Sequence, residues 1–229
     1  MSIAIDLTKK IELSLEKAGV VNVPVLEVRL AVDESGSMQD EYRDGLVDAI
    51  IDRFIVAAMK FDDNQSLDVA FFSSNLRPAP NANIKDVGTY IKNKFPNRNW
   101  GGTNYAPVVS HFGNLYTSAS KPGIFKSLFG GSKPSSEAGI VKKTGYCAVI
   151  TDGDNSDRKQ FEDIISRTNG DTYFEFIAIG TDITPGYLGG IAKTYKHVGF
   201  THIKSPKTIS DQDFYDALIN PKFVEWFGA

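Results

Sequence analysis

One cysteine, Cys147, stands in 229 residues, so no intramolecular disulfide is possible. That shortage suits a reducing compartment. The flanking Gly145-Tyr146 and Ala148-Val149-Ile150 make Cys147 a small buried hydrophobe rather than a reactive thiol. No run reaches the roughly 18 apolar residues that a membrane-spanning helix needs. The first ten residues lack the charged start and apolar block of a secretory signal. Basic charge is not in excess: 25 Lys and Arg stand against 28 Asp and Glu, a net of −3, which argues against a general nucleic-acid binder. A phosphate-cradling Gly-x-x-x-x-Gly-Lys-Ser/Thr loop is missing as well. The expectation is a cytoplasmic globular protein with neither nucleic acid nor stable membrane insertion among its associations.

What is present has the rhythm of an α/β domain. Residues 25–33 read as an aliphatic strand, with Leu26, Val28, Leu30 and Val32 on one face. From about 41 to 60, Leu46, Val47, Ile50, Ile51, Phe54, Ile55 and Ala58 recur at helical spacing. Strands are expected at 67–73, 145–151, 172–180 and 195–202. Helices are expected at about 84–94, 104–115, 157–168, 185–193 and 211–219, with Pro221 resetting a tail that ends in Trp226 and Phe227. Such alternation implies a doubly wound, mostly parallel sheet of about six strands with helices on both faces. Residues 1–24 form an N-terminal extension, and its alternating Ile11, Leu13 and Leu15 read as a short edge strand. The domain proper is 25–229. Its stretch at about 117–143, rich in Ser, Gly, Lys and Pro, reads as a surface insertion with an apolar knot at Ile124, Phe125, Leu128 and Phe129.

Two of the apolar strands end in acid. The first runs into Asp33-Glu34-Ser35-Gly36-Ser37, where residues two apart share a side, so Asp33, Ser35 and Ser37 present three oxygens together. The other ends in Thr151-Asp152-Gly153. Ligands of doubly wound sheets bind beyond the carboxyl ends of the strands, where the winding reverses. Two carboxylates side by side there need a shared proton or a cation, and the neighbouring hydroxyls favour the cation. The donors are hard oxygens, with His111, His197 and His202 scattered elsewhere, so Mg²⁺, Ca²⁺ or Mn²⁺ is selected over zinc or copper. Mg²⁺ suits a compact shell that keeps waters. The competing explanation is local: Ser37 or Asp40 capping the next helix, and Thr103 capping the one after the Gly101-Gly102 turn. Asp152 to Asp157 resembles the opening of a calcium loop, but Asp157 stands where that loop needs glycine and a strand precedes it. Asp154 and Asp157 are therefore read as surface and helix-start residues.

Taken together, Asp33-x-Ser35-x-Ser37, Gly101-Gly102-Thr103-Asn104 and Thr151-Asp152-Gly153 resemble the metal-ion-dependent adhesion site (MIDAS) of von Willebrand factor A (vWA) domains, in order and in spacing. The resemblance covers roughly residues 22–220. Within the family it is similar to the bacterial and phage vWA proteins associated with tellurite resistance, and the stretch from Ile5 to Gly19 resembles the start of stress proteins from the same operons. The MIDAS resemblance implies that Ser35 and Ser37 ligate a metal directly, and that Thr103 does so directly or through water. It implies the same choice for Asp33 and Asp152, and one position left for a partner's carboxylate. A shell rich in hydroxyl and water leaves the ion enough charge to capture an Asp or Glu.

The expected function is thus a divalent-cation-dependent protein–protein interaction module and not an enzyme. Glu34, at the variable position of the motif, is expected to face solvent and repel wrong partners. Trp100 and Asn104 are candidate partner contacts, Trp100 equally a cover for the core edge. The alternative is a Mg²⁺-dependent phosphatase or phosphotransferase on a similar sheet. That chemistry would want a second Asp where Ser35 stands.

Overall fold

The computed structural model describes residues 2–23, 25–113, 145–180 and 185–228. The expected insertion at 117–143 lies outside them. Six strands form one sheet: β1 (Glu27–Asp33), β2 (Asp68–Phe72), β3 (Leu76–Pro78), β4 (Gly145–Thr151), β5 (Thr172–Ile179) and β6 (Val198–Ile203). Their order is β3-β2-β1-β4-β5-β6. The pairings are parallel except that of β3, a short antiparallel edge strand on β2. The chain winds outward from β1 to β3 and then returns to lay β4 against the other side of β1. The winding reverses between β1 and β4, which is where the two acidic strand ends lie.

The central strands are buried on both faces, and this is why they read as unbroken apolar runs. On one face Leu30, Val32 and Ile150 pack under α1 (Ser2–Lys17), α3 (Leu46–Phe61), α8 (Asp211–Leu218) and α9 (Pro221–Phe227). On the other, Ala31, Val149 and Phe176 pack under α5 (Ala106–Phe112), α6 (Arg158–Ser166) and α7 (Pro185–Thr194). The shorter α2 (Gln39–Arg43) and α4 (Tyr90–Lys94) complete the helices among the described residues. Among those residues no helix is long and apolar enough to cross a membrane.

The expected single helix at 41–60 is two helices. Gly45 adopts φ 74°, a left-handed conformation that costs glycine little, and the chain turns between α2 and α3. The predicted inner face of α3 is confirmed, since Leu46, Val47, Ile50, Ile51, Phe54, Ile55 and Ala58 are all buried. The expectation at 84–94 is met only in part, by a 3₁₀ turn at Ile84–Asp86 and then α4.

Two expectations are overturned at the termini. Residues 2–17 are helix α1, not an edge strand. The alternation of Ile11, Leu13 and Leu15 misled over too short a window: Leu7, Ile11 and Leu15 repeat every four residues and are buried, while Leu13 is exposed. At the other end, Pro221 opens α9 rather than a loose tail. Proline is well placed in a first helical turn, and the Asn220 side chain accepts from the Phe223 N–H to cap it.

Helix α1 is clasped to α8 by polar contacts as well. Ser14 Oγ donates to Asp216 Oδ1 at 2.5 Å, and Lys17 Nζ lies 2.7 Å from Asp216 Oδ2. Ile11 is fully buried in this seam. Ile11→Ala is expected to cost about 3 kcal/mol of unfolding free energy, as buried Ile→Ala changes do, measured by urea denaturation. A loss near zero would mean that α1 does not pack on the domain.

Candidate metal centre

The parallel register pairs Val32 with Ile150 and so brings Asp33 level with Thr151 at the reversal point. Thr151 Oγ1 donates to Asp33 Oδ2 at 2.7 Å, and the Ser35 N–H donates to Asp33 Oδ1 at 2.6 Å. Asp33 is fully buried. Burial raises its carboxyl from 3.8 to about 6, the Asp152 charge adds to the rise, and the hydrogen bonds from Ser35 and Thr151 oppose it. From this floor the donors climb toward solvent. Ser35 Oγ lies 3.1 Å from Ser37 Oγ, and Ser37 Oγ donates to Asp152 Oδ1 at 2.9 Å. Ser35 is buried, Ser37 exposed and Asp152 between the two. Four of the predicted residues thus form one hydrogen-bonded chain between two strand ends.

The local capping explanation for these residues fails. Neither the 3₁₀ turn at Gly36–Met38 nor α2 has a side-chain cap, so the serine hydroxyls face each other and Asp152 instead. Thr103 does not cap α5 either. Its backbone ties the loops together: the Ser156 N–H donates to Thr103 O at 2.8 Å, and Gly101, two residues earlier, bridges Ser35. Gly101 lies close against Ser73, so a larger residue would have to displace that side chain. A Cβ there would stand 3.0 Å from Ser73 Oγ and 3.1 Å from Ser73 Cβ.

Asp157 takes the capping role. Its carboxylate accepts from the N–H of Tyr105, just before α5, at 3.1 Å and from that of Ala106, the first residue of α5, at 2.8 Å, while its own helix α6 has no side-chain cap. It is therefore a cross-tie between the loop after β4 and the loop carrying Thr103, not merely a surface or helix-start residue. Tyr105 adds a second tie, donating to Gly153 O at 2.7 Å. Asp157→Ala is expected to lose about 2 kcal/mol, the worth of hydrogen bonds to a charged acceptor, read in chemical unfolding. An unchanged midpoint would contradict the tie.

Glu34 corrects the expectation most sharply. It does not face solvent; it is fully buried. Arg77 of β3 reaches it in a two-pronged ion pair, Nε and Nη2 each donating at 2.6 Å, and the Asn99 N–H donates at 3.1 Å. A residue alternating away from Asp33 meets the edge strand there, not water. Glu34 is therefore no partner contact. Asn104 is committed too, its amide donating to Ser74 O at 3.0 Å. Trp100 packs edge-on against Tyr42 at 5.6 Å and remains 43% exposed.

The donor chemistry fits a hard divalent ion. Among the described residues no three His, Cys, Asp or Glu side chains group to hold a metal, so an ion here must take hydroxyl oxygens beside the two carboxylates. Asp33, buried and reluctant to ionise, needs either a proton or a cation.

Comparison with known proteins places the fold. The chain is 26% identical over 232 residues to the Bacillus subtilis (strain 168) protein YcbR, described as uncharacterized, covering 97% of this chain and 86% of that one. Its fold matches a von Willebrand factor type A protein from Catenulispora acidiphila (TM-score 0.58, 16% identity, 90% of this chain and 43% of that one). It also matches proximal thread matrix protein 1 from the mussel byssus, solved with a zinc-occupied MIDAS motif (TM-score 0.51, 15% identity, 86% and 46%). The chain thus spans less than half the length of these solved relatives. The family model for the vWA found in the TerF C terminus matches residues 25–229, everything after α1 and its connection. This chain belongs to that vWA-TerF-like family.

Proposed function

We propose that this domain is a non-catalytic protein-interaction module. Its Asp33, Ser35, Ser37, Thr103 and Asp152 hold one divalent cation, Mg²⁺ by preference with Ca²⁺ and Mn²⁺ as alternatives. The observation that carries the reading is the Ser35–Ser37–Asp152 chain of oxygens, which links the β1 and β4 loops and leads from a buried carboxylate to the surface. Each hydroxyl on that path spends its hydrogen on a neighbouring oxygen. Each can turn to offer a lone pair instead. Thr151 and the Ser35 amide hold Asp33 in place meanwhile. When bound, the ion supplies a positive charge at the rim that attracts an Asp or Glu carboxylate of a partner protein. Trp100, braced by Tyr42 and next to the Gly101 bridge, offers that partner an apolar contact. The setting we propose is the cytoplasmic chemical-stress or tellurite-resistance system that the family resemblance implies.

An affinity pull-down in matched Mg²⁺ and EDTA buffers tests the module. The expected result is a partner retained in Mg²⁺ and released by EDTA. A partner set unchanged by chelation would contradict it.

A further inference from the structure

We infer that the buried Glu34–Arg77 pair is a positioning device that sets the reach between the Ser35/Ser37 loop and the Thr103 loop, and so tunes cation affinity without touching the ion. This rests on the cation-binding reading above.

The pair joins three pieces of chain. Glu34 follows Asp33, the last residue of β1, and Arg77 belongs to β3. Arg77 Nη2 also donates to Asn97 O at 3.1 Å, and its guanidinium lies 4.5 Å over the Phe95 ring. Phe95 in turn stacks on Phe71 of β2, with centroids 3.9 Å apart and planes within 7°. Glu34 accepts from Asn99 N as well. The loop from Phe95 to Asn99 is therefore fastened along its length to Glu34 and its partner.

Beyond Asn99 the chain is loose by composition, because Gly101 and Gly102 lead to Thr103 and glycine carries the largest conformational freedom. The Gly36 N–H donates to Gly101 O at 3.1 Å, and Gly102 and Asn104 are held by Ser74 Oγ and Ser73 O. These contacts work only if the strand of loop before them is in place. An ion shell assembled from separate loops is sensitive to such supports, and outer-shell changes typically cost 10- to 100-fold in metal affinity. A surface ion pair would not do this. Glu34 is fully buried while the Arg77 side chain keeps 33% exposure, so the geometry of the pair is dictated by the protein, not by solvent.

The test uses two variants of the full chain with Mg²⁺ as the probe. Glu34→Gln removes the charge and keeps the shape. Arg77→Lys keeps the charge and loses the fork, and it carries the test if the first variant folds poorly. Isothermal titration is expected to show Mg²⁺ binding weakened about 10- to 100-fold in each. In EDTA, hydrogen exchange is expected to quicken at the Gly102 and Asn104 amides while β4 and β5 amides stay protected. Variants that melt earlier yet bind Mg²⁺ as the wild type does would overturn the inference and leave a merely structural pair. A wild type that takes up no Mg²⁺ would sink the cation reading itself, and this inference with it.

Discussion

Ser35→Ala/Ser37→Ala is expected to weaken Mg²⁺ binding by more than about a hundredfold, beyond the range of outer-shell changes, because it removes two ligands outright. The same protein is expected to fold normally. Neither serine caps a helix, and their hydrogen bonds run mainly to each other and to Asp152, so stability in EDTA should fall by only about 1 kcal/mol. That separation matters, because a variant that loses the ion and the fold together says nothing about a site. Calorimetric titration gives the first quantity and chemical unfolding in EDTA the second. Wild-type affinity in the double variant would exclude the two hydroxyls as ligands.

The second large effect is a pH dependence that the ion should erase. The Asp33 carboxyl stands at about 6 in the folded chain against 3.8 for the free group. Below pH 3.8 it is protonated in both states and costs nothing. Above pH 6 it is ionised in both, and the folded state bears the whole penalty. A raised acid therefore removes stability as pH climbs from about 4 to 6, here about 3 kcal/mol in EDTA. Glu175, fully buried in β5, is pushed up to about 7 by burial and slopes the same way. The informative quantity is thus the difference between wild type and Asp33→Asn. Asparagine fits the position because the Thr151 hydroxyl can reverse and accept from the new amide. In EDTA the variant is expected to gain on the wild type by about 3 kcal/mol between pH 4 and 7. Saturating Mg²⁺ should then stabilise the wild type at pH 7.5 and leave Asp33→Asn unchanged. Parallel pH profiles would mean that Asp33 is not held as a strained acid.

The same physics explains what could be read from the sequence alone. The outer strand β6, half-buried at Phe200, Thr201 and His202, was expected at 195–202 and lies at Val198–Ile203; strands covered on both faces cannot hide, and β1, β2, β4 and β5 emerge as apolar runs close to their true bounds. The edge strand β3 does not, because three residues ending in Pro78 carry no periodicity. Helix α1 was ambiguous over five residues and plain over twelve. Helix α9 was lost because Pro221 reads equally as a breaker and as a first-turn residue. At the site, the acids and hydroxyls that close the β1 and β4 ends were legible, since each lies where a strand stops. Their supports were not. The Arg77 partner of Glu34 is 43 positions away, and the Asp157 cap serves a helix 51 positions earlier. Such pairs are created by the sheet order, and no local pattern announces them. One expectation failed for a sharper reason: Glu34, at the variable position of the motif, was expected to face solvent, but the side on which it lies is covered by Arg77 and the Asn99 loop.

The most direct measurement is anomalous diffraction from crystals soaked in Mn²⁺, which scatters where Mg²⁺ would be silent. The account predicts one peak at the carboxyl ends of β1 and β4, at bonding distance from Ser35 Oγ and Ser37 Oγ and facing Asp33, Thr103 and Asp152. A map with no peak there, or with manganese only on carboxylates elsewhere on the surface, would contradict it.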